Sequence, residues 1–158
     1  MSKDIITPQE WIVNWQSNRR LTRKVIETFP EKELFEFSIG GMRSFANIVD
    51  ELLYVVDLAI KQMSENQIIE FSDFTGYAGK TKAEILTNWD KTTTLIEKFG
   101  KETSQEKYRE VFNVFGMFNY PVIENLTYLI ENEIHHRGQG YVYLRALGVE
   151  PPVFYSEY

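Results

Sequence analysis

The stretch from Pro121 to Leu147 decides the fold, and it reads PVIENLTYLIENEIHHRGQGYVYLRAL. When its residues are placed about 100° apart on a helix, the apolar ones form a single arc that faces inward. That arc consists of Val122, Leu126, Leu129, Ile130, Leu144 and Leu147. Pro121 stands at the start of this stretch, where a helix tolerates proline well. Gly148 and the Pro151-Pro152 pair, which follow the stretch, end the helix. The sequence therefore predicts a long amphipathic helix over residues 121–147.

Two more helices are predicted in the first half of the chain. Thr7 and Glu10 are spaced as a capping box around Pro8, which predicts a first helix over residues 8–28. Downstream of a glycine turn, apolar residues recur at helical spacing and predict a second helix over residues 43–64. Both helices have one apolar stripe, so each must be buried against a neighbour.

The second half adds one helix and one open segment. Thr81 begins a further capping box, and Gly100 closes the helix that it predicts. Residues 108–117 are aromatic and β-branched, a pattern that fits either an extended connection or a short helix. Because four long amphipathic helices stand beside no convincing sheet pattern, we predict an all-α four-helix bundle in a single domain over residues 1–158.

Composition narrows the function classes. The 158 residues are 43% apolar and 15% aromatic, so a full hydrophobic core is within reach. The formal net charge of −6 argues against a protein that neutralises many phosphates, so we expect no nucleic-acid partner. There is no cysteine, which excludes disulfides and a cysteine nucleophile. With no secretory signal and no apolar run of roughly 20 residues, we expect a soluble, cytoplasmic protein without a membrane partner.

Polar residues interrupt the apolar stripes of two predicted helices. On the last helix, Glu133 and His136 fall inside the inward arc and Asn132 lies at its edge. On the second helix, Glu51 shares its row with apolar residues, whereas Asp50 is predicted to stay in water. A buried carboxylate needs a cation or donors, and His136 is a candidate for Glu51, directly or through a metal. A satisfied polar network inside the bundle is the alternative without chemistry.

Other polar and small residues have simpler interpretations. The basic run over residues 19–24 is predicted to form a solvated helix surface. Trp11 and Trp15 are one helical turn apart and are predicted to pack in the core. Gly138 and Gly140 are predicted to allow close helix approach, because glycine is costly inside a helix without such a reason.

Four short motifs identify the chain with a known family. The strings HHRGQ at 135–139, YLR at 143–145 and GVEPP at 148–152, with GGMRSF at 40–45, resemble the DinB-like family, which includes the YfiT-type metal-dependent hydrolases. The resemblance covers nearly the whole chain. It implies a four-helix bundle, a homodimer in many cases, and a divalent metal at one end of the core.

The resemblance also implies a ligand set, from which this sequence departs. In that family three histidines hold the metal, one on the second helix and two four residues apart on the last. The matching positions here are Glu51, Asn132 and His136, so two of the three histidines are replaced. Glu133 is a candidate to replace one of these ligands or to accept a hydrogen bond from one. A harder, oxygen-richer set of this kind leaves zinc, nickel, manganese and iron all open.

Two functional hypotheses follow. The first is a metal-dependent enzyme of the hydrolase or thiol S-transferase kind, whose substrate is a small molecule, with or without a thiol cofactor. The second is a catalytically silent, metal-free bundle that binds a small ligand or a partner. Gln139 and Tyr143 are candidates for the substrate pocket in either case. Gln139 could instead orient His136, and aromatic packing is the simpler role for Tyr143.

Overall fold

The structure is a computed structural model that describes residues 5–155. Its elements in chain order are α1 (Pro8–Thr28), α2 (Glu31–Glu36), α3 (Phe45–Glu65), α4 (Lys82–Glu102), β1 (Val111–Val114), β2 (Phe118–Pro121) and α5 (Val122–Ala146). The four long helices form the bundle. Helix α1 packs on α4 and α5, and α3 packs on the same two helices. The predicted all-α four-helix bundle is confirmed.

The capping signals fix where the long helices begin. The Thr7 hydroxyl accepts from the Glu10 N–H at 3.2 Å, and the Glu10 carboxylate accepts from the Thr7 N–H at 2.8 Å. The Thr81 hydroxyl likewise accepts from the Glu84 N–H at 3.2 Å. These side chains satisfy N–H groups that have no partner inside their own helices. The predicted starts of α1 and α4 are therefore confirmed.

Two predicted helix ends are off by two residues. Helix α3 begins at Phe45 because the Ser44 hydroxyl caps it, accepting from the Asn47 N–H at 3.3 Å. Helix α4 continues past Gly100 to Glu102. Gly100 does not end the helix but gives room for Ile12 of α1, since a Cβ on it would lie 2.7 Å from that side chain.

The segment over residues 108–117, for which the sequence left an extended connection and a short helix open, contains the first strand of a β-hairpin. Strands β1 and β2 pair antiparallel around a turn at Phe115 and Gly116, both with positive φ. Contacts distant in sequence hold the hairpin in place. The Asn125 amide donates to the carbonyl groups of Phe112 at 3.0 Å and Tyr120 at 3.1 Å, which anchors the hairpin on α5.

The core runs along the bundle in two clusters. Trp15 is fully buried in one of them, and Trp11 packs half-buried against it with the rings edge to face at 5.6 Å. In the other cluster, Gly140 of α5 faces Phe45, and a Cβ on it would lie 2.6 Å from the ring. The predicted close approach is thus confirmed at Gly140. At Gly138 it was wrong, because no atom lies within 4 Å of a Cβ placed there. Among residues 5–155, no helix is both long and apolar enough to cross a membrane.

Candidate functional site

A glycine turn and a tyrosine fix the chain where it enters α3. Gly40 and Gly41 adopt φ values of +58° and +78°, a conformation that glycine reaches without strain. Just beyond the turn, the Arg43 carbonyl accepts a 2.8 Å hydrogen bond from the hydroxyl of Tyr143, whose ring is buried. The Arg43 backbone is therefore tied to α5, and its side chain is held beside the first turns of α3.

Helices α3 and α5 bring three predicted site residues together. Glu51 Oε1 lies 3.3 Å from His136 Nε2 and 3.4 Å from Asn132 Nδ2. The other oxygen, Glu51 Oε2, accepts from Arg43 Nη2 at 2.5 Å. Both Glu51 and His136 are largely buried, with side-chain exposures of 20% and 11%. We refer to Arg43, Glu51, Asn132 and His136 as the Glu51 cluster.

The hydrogen bonds of His136 indicate which of its ring nitrogens carry a proton. Its Nδ1 lies 2.8 Å from the side-chain oxygen of Gln139, while its Nε2 faces the carboxylate of Glu51. Each neighbour presents an oxygen that can accept, an arrangement that favours a proton on both ring nitrogens. Burial lowers the pKa of His136, but the bonds to Glu51 and Gln139 outweigh that effect and raise the pKa above its usual value.

Glu51 is correspondingly held as an anion. The hydrogen bond from His136 acts against the effect of burial, and the bond from Arg43 adds to it. Together they lower the pKa of Glu51 to about 2. The Glu51 carboxylate therefore lies between the Arg43 guanidinium and the His136 imidazole, whose pKa is raised.

An open cleft of about 320 Å³ adjoins this cluster. It is lined by Arg43, Asn47, Asp50, Asp73, Phe74 and Thr75. Arg43 belongs to both the cluster and the cleft, and its side chain is 43% exposed. A guanidinium has five N–H donors. Among residues 5–155, Glu51 is the one side chain to which Arg43 donates a hydrogen bond. Most donors of Arg43 are therefore available to a molecule in the cleft.

Comparisons with known proteins identify the family of this chain. The model of the DinB family matches residues 1–158. The chain belongs to the DinB family. A DinB-like protein from Bacillus cereus has a similar fold, with a TM-score of 0.74 at 18% identity, over 92% of this chain and 95% of that one. A DinB-like protein from Bacillus subtilis gives 0.71 at 20% identity, over 91% and 97%. None of the curated proteins matches the chain.

The metal expected from the DinB resemblance does not fit the donor set as it is arranged here. A metal ligand needs a free lone pair, but both nitrogens of His136 face oxygen acceptors, and its pKa is raised above the usual value. Asn132 presents its NH₂ group to Glu51, and Arg43 neutralises the remaining carboxylate oxygen. In the described part of the chain, no group of three or more histidine, aspartate or glutamate residues could hold a metal ion.

Glu133 lies outside this cluster. Its Oε1 accepts from the Thr22 hydroxyl at 2.6 Å, and its Oε2 lies 3.6 Å from Arg19 Nη1. Arg19 is 1% exposed and sits over the Trp89 ring at 3.4 Å, so its predicted place on a solvated surface was wrong. Burial lowers the pKa of Arg19 to about 10, although the charge of Glu133 opposes that shift. In this DinB chain, Glu133 compensates a buried cation between α1 and α5.

Asp50 is not in water, contrary to prediction. It is 3% exposed, and its carboxylate accepts from the N–H groups of Gly76 at 2.8 Å and Ala78 at 2.7 Å. It thus anchors the loop between α3 and α4, which forms the far wall of the cleft. Glu51, by contrast, keeps 20% of its side chain exposed.

Sequence reasoning missed Arg43 as a member of the site. The available signal was its position in GGMRSF, one of the strings that carry the family resemblance. Of the two predicted pocket residues, Gln139 orients His136, and Tyr143 holds the backbone of Arg43. Both therefore position charged groups of the cluster.

Proposed function

We propose that this DinB-family chain is a metal-free bundle that binds a small polar molecule through an acidic group. The observation that carries this proposal is the position of the Arg43 guanidinium, which donates to Glu51 and also lines the cleft. A planar guanidinium matches carboxylate and phosphate groups, which accept two parallel hydrogen bonds from it. The ligand class is therefore a small anion or zwitterion.

The size and lining of the cleft support a small ligand. A space of about 320 Å³ is at the lower end of ordinary small-molecule sites. Asn47 and Thr75 supply neutral polar groups around Arg43, and Phe74 supplies one apolar wall. The carboxylates of Asp50 and Asp73 in the same lining favour a ligand that also carries a positive group, that is, a zwitterion.

The competing candidate is the metal-dependent hydrolase or thiol S-transferase expected from the family resemblance. One observation favours it: Asn132 and His136 both approach the same oxygen of Glu51, at 3.4 and 3.3 Å. For a metal to bind there, Nε2 of His136 would have to present a lone pair to the ion, and Asn132 would have to turn its oxygen towards it in place of its NH₂ group. The proposed ligand requires neither change.

Thermal denaturation with defined probes separates the two candidates. We expect inorganic phosphate, succinate or glutathione at millimolar concentrations to raise Tm by a few degrees in EDTA, because a ligand that binds only the native state stabilises it. Arg43→Ala should abolish the rise, whereas the exposed control Arg109→Ala should retain it.

Two outcomes contradict the proposal. One is that no anionic probe changes Tm in EDTA. The other is that zinc, nickel, manganese or iron(II) raises Tm, that EDTA reverses the effect, and that Glu51→Ala or His136→Ala removes it. The second outcome supports the metal-dependent enzyme.

A further inference from the structure

An exposed apolar surface lies where the hairpin meets the loop between α3 and α4. Ile68 and Phe71 of that loop are 56% and 41% exposed, and Ile68 lies 3.8 Å from a Cβ placed on Gly116. Met117, which follows Gly116 in the hairpin turn, is 62% exposed, and Tyr128 of α5 is 44% exposed. We refer to Ile68, Phe71, Met117 and Tyr128 as the hairpin patch.

Ring contacts make the hairpin patch continuous. The Phe71 ring meets Phe115 edge to face, with the centroids 5.3 Å apart. Phe115 in turn lies 6.2 Å from Phe118, and Phe118 stacks on Tyr128 at 5.3 Å. The exposed side chains of the loop, the hairpin and α5 therefore belong to one surface.

Gln62 of α3 holds the loop and the hairpin in fixed positions. Its side chain is fully buried, and its oxygen accepts from the Ile69 N–H at 3.1 Å and from the Phe115 N–H at 3.0 Å. Both segments are thus tied to the same point of the bundle. A surface that is already ordered loses little conformational entropy when a partner binds.

The charge around the hairpin patch has one sign. Residues 62–79 and 110–134 contain no lysine, arginine or histidine. Within residues 5–155, no ion pair engages four exposed glutamates of these segments, which are Glu65, Glu70, Glu124 and Glu131. The latter two lie about one helical turn on either side of Tyr128. The apolar surface is therefore bordered by unpaired carboxylates.

This combination of charge and apolar area selects the partner. Carboxylates repel nucleic acid and anionic lipid, and a second copy of the chain would bring glutamates against glutamates. A complementary surface has apolar side chains with lysine or arginine at their edges. An amphipathic helix provides both on one face. Glu124 and Glu131 are seven residues apart on α5, about 10 Å along its axis, which matches cations two turns apart on a facing helix.

We propose that the hairpin patch is a docking surface for a basic amphipathic helix of another protein. The apolar face of that helix covers the four side chains of the patch, and its lysine or arginine residues pair with the surrounding glutamates. None of the four patch residues lines the cleft beside Arg43. The proposal therefore does not rest on the ligand proposed above.

A synthetic peptide tests the chemistry of the partner. The probe is a peptide of about 18 residues that consists of leucine at helical spacing and lysine elsewhere. We expect it to bind the full chain with a micromolar Kd in fluorescence anisotropy, and added salt should weaken the binding because the charge pairs are exposed. Two control peptides should not bind. One has glutamate in place of lysine, and the other has the same composition in an order that forms no apolar face.

Variants of the chain test the place of binding. Met117→Gln and Ile68→Gln remove apolar contacts, and Glu70→Lys and Glu131→Lys reverse charges at the border. Each should raise the Kd of the leucine–lysine peptide by at least about tenfold. The control variants are Val13→Gln on α1 and Glu36→Lys on α2, which are also exposed and should leave the Kd unchanged. All six side chains are exposed, so circular dichroism should show a native fold in every variant.

Three outcomes overturn the proposal. In the first, the leucine–lysine peptide binds no more tightly than the peptide without an apolar face. In the second, the four patch variants bind it as tightly as the wild type. In the third, vesicles of phosphatidylcholine bind the wild type and lose binding in Met117→Gln while the peptide does not bind, which would assign the patch to a lipid surface.

Discussion

Glu133→Ala is expected to lower the free energy of unfolding by about 3–5 kcal/mol, because it leaves Arg19 buried without its counter-charge. Arg19 would keep its hydrogen bonds to the Trp89 carbonyl at 3.0 Å and the Thr93 hydroxyl at 3.1 Å. Those bonds engage Nε and Nη2, whereas among residues 5–155 the buried Nη1 has no hydrogen-bond partner and faces only the Glu133 carboxylate, at 3.6 Å. Urea denaturation followed by far-ultraviolet circular dichroism measures the loss.

A matched pair of variants tests the stated cause. Glu102→Ala removes an exposed carboxylate from α4 and should change stability by less than about 0.5 kcal/mol. Glu133→Gln keeps an acceptor for Thr22 but removes the charge, so adding Arg19→Met to it should recover part of the lost stability. If the double variant is less stable than Glu133→Gln alone, charge compensation is not what Glu133 provides.

Asp50→Ala is expected to cost about 3–4 kcal/mol, because two backbone N–H groups of the α3–α4 loop lose a charged acceptor at once. Hydrogen bonds to charged groups contribute more than neutral ones, and the Ala78 N–H is buried. The same denaturation experiment measures this loss, and hydrogen exchange at Gly76 and Ala78 should speed up.

Asp50→Asn and Glu70→Ala serve as controls for this prediction. Asparagine retains one acceptor oxygen, so about half of the loss should remain. Glu70 is exposed in the same loop, and its removal should be nearly neutral. A loss below about 1 kcal/mol for Asp50→Ala would mean that water satisfies both N–H groups and that the loop is not anchored through this side chain.

Asp50 also shows why part of the site could not be predicted. Periodicity on α3 locates the face that meets other helices, and by that measure Glu51 points inward and Asp50 does not. The loop after α3 then folds back and covers Asp50 with the N–H groups of Gly76 and Ala78. A helical pattern contains no information about a loop that returns to it, so the more buried of the two carboxylates was assigned wrongly.

The burial of Arg19 and the strand pairing of the hairpin could not be predicted for related reasons, because each depends on residues distant in sequence. A run of basic residues indicates a solvated surface unless distant groups compensate one of them, and for Arg19 those groups are Trp89 and Glu133. The hairpin forms where Gln62 of α3 accepts from the Phe115 N–H at 3.0 Å. Helix starts, by contrast, depend on neighbours three residues away, which is why the caps at Thr7 and Thr81 were predictable.

The Glu51 cluster makes the stability of the fold depend on pH in a defined window. The pKa of Glu51 falls from 4.5 to about 2 on folding, so its contribution is complete above pH 4.5 and is lost as pH falls through about 2. The pKa of His136 is raised above 6.5, so its contribution is complete below pH 6.5 and is lost as pH rises through the raised value. The stability difference between wild type and Glu51→Gln should therefore be largest between pH 4.5 and pH 6.5.

The most direct test of the central claim, that the Glu51 cluster is a metal-free set of paired charges, is an NMR titration of His136. Its resonances can be assigned with a His135→Gln variant. In EDTA, the imidazolium of His136 should titrate with a pKa above 6.5. Addition of zinc should leave this titration unchanged. The pKa of His136 should be lower in the Glu51→Gln variant than in the wild type. A neutral His136 whose resonances shift with stoichiometric zinc near neutral pH would contradict the account.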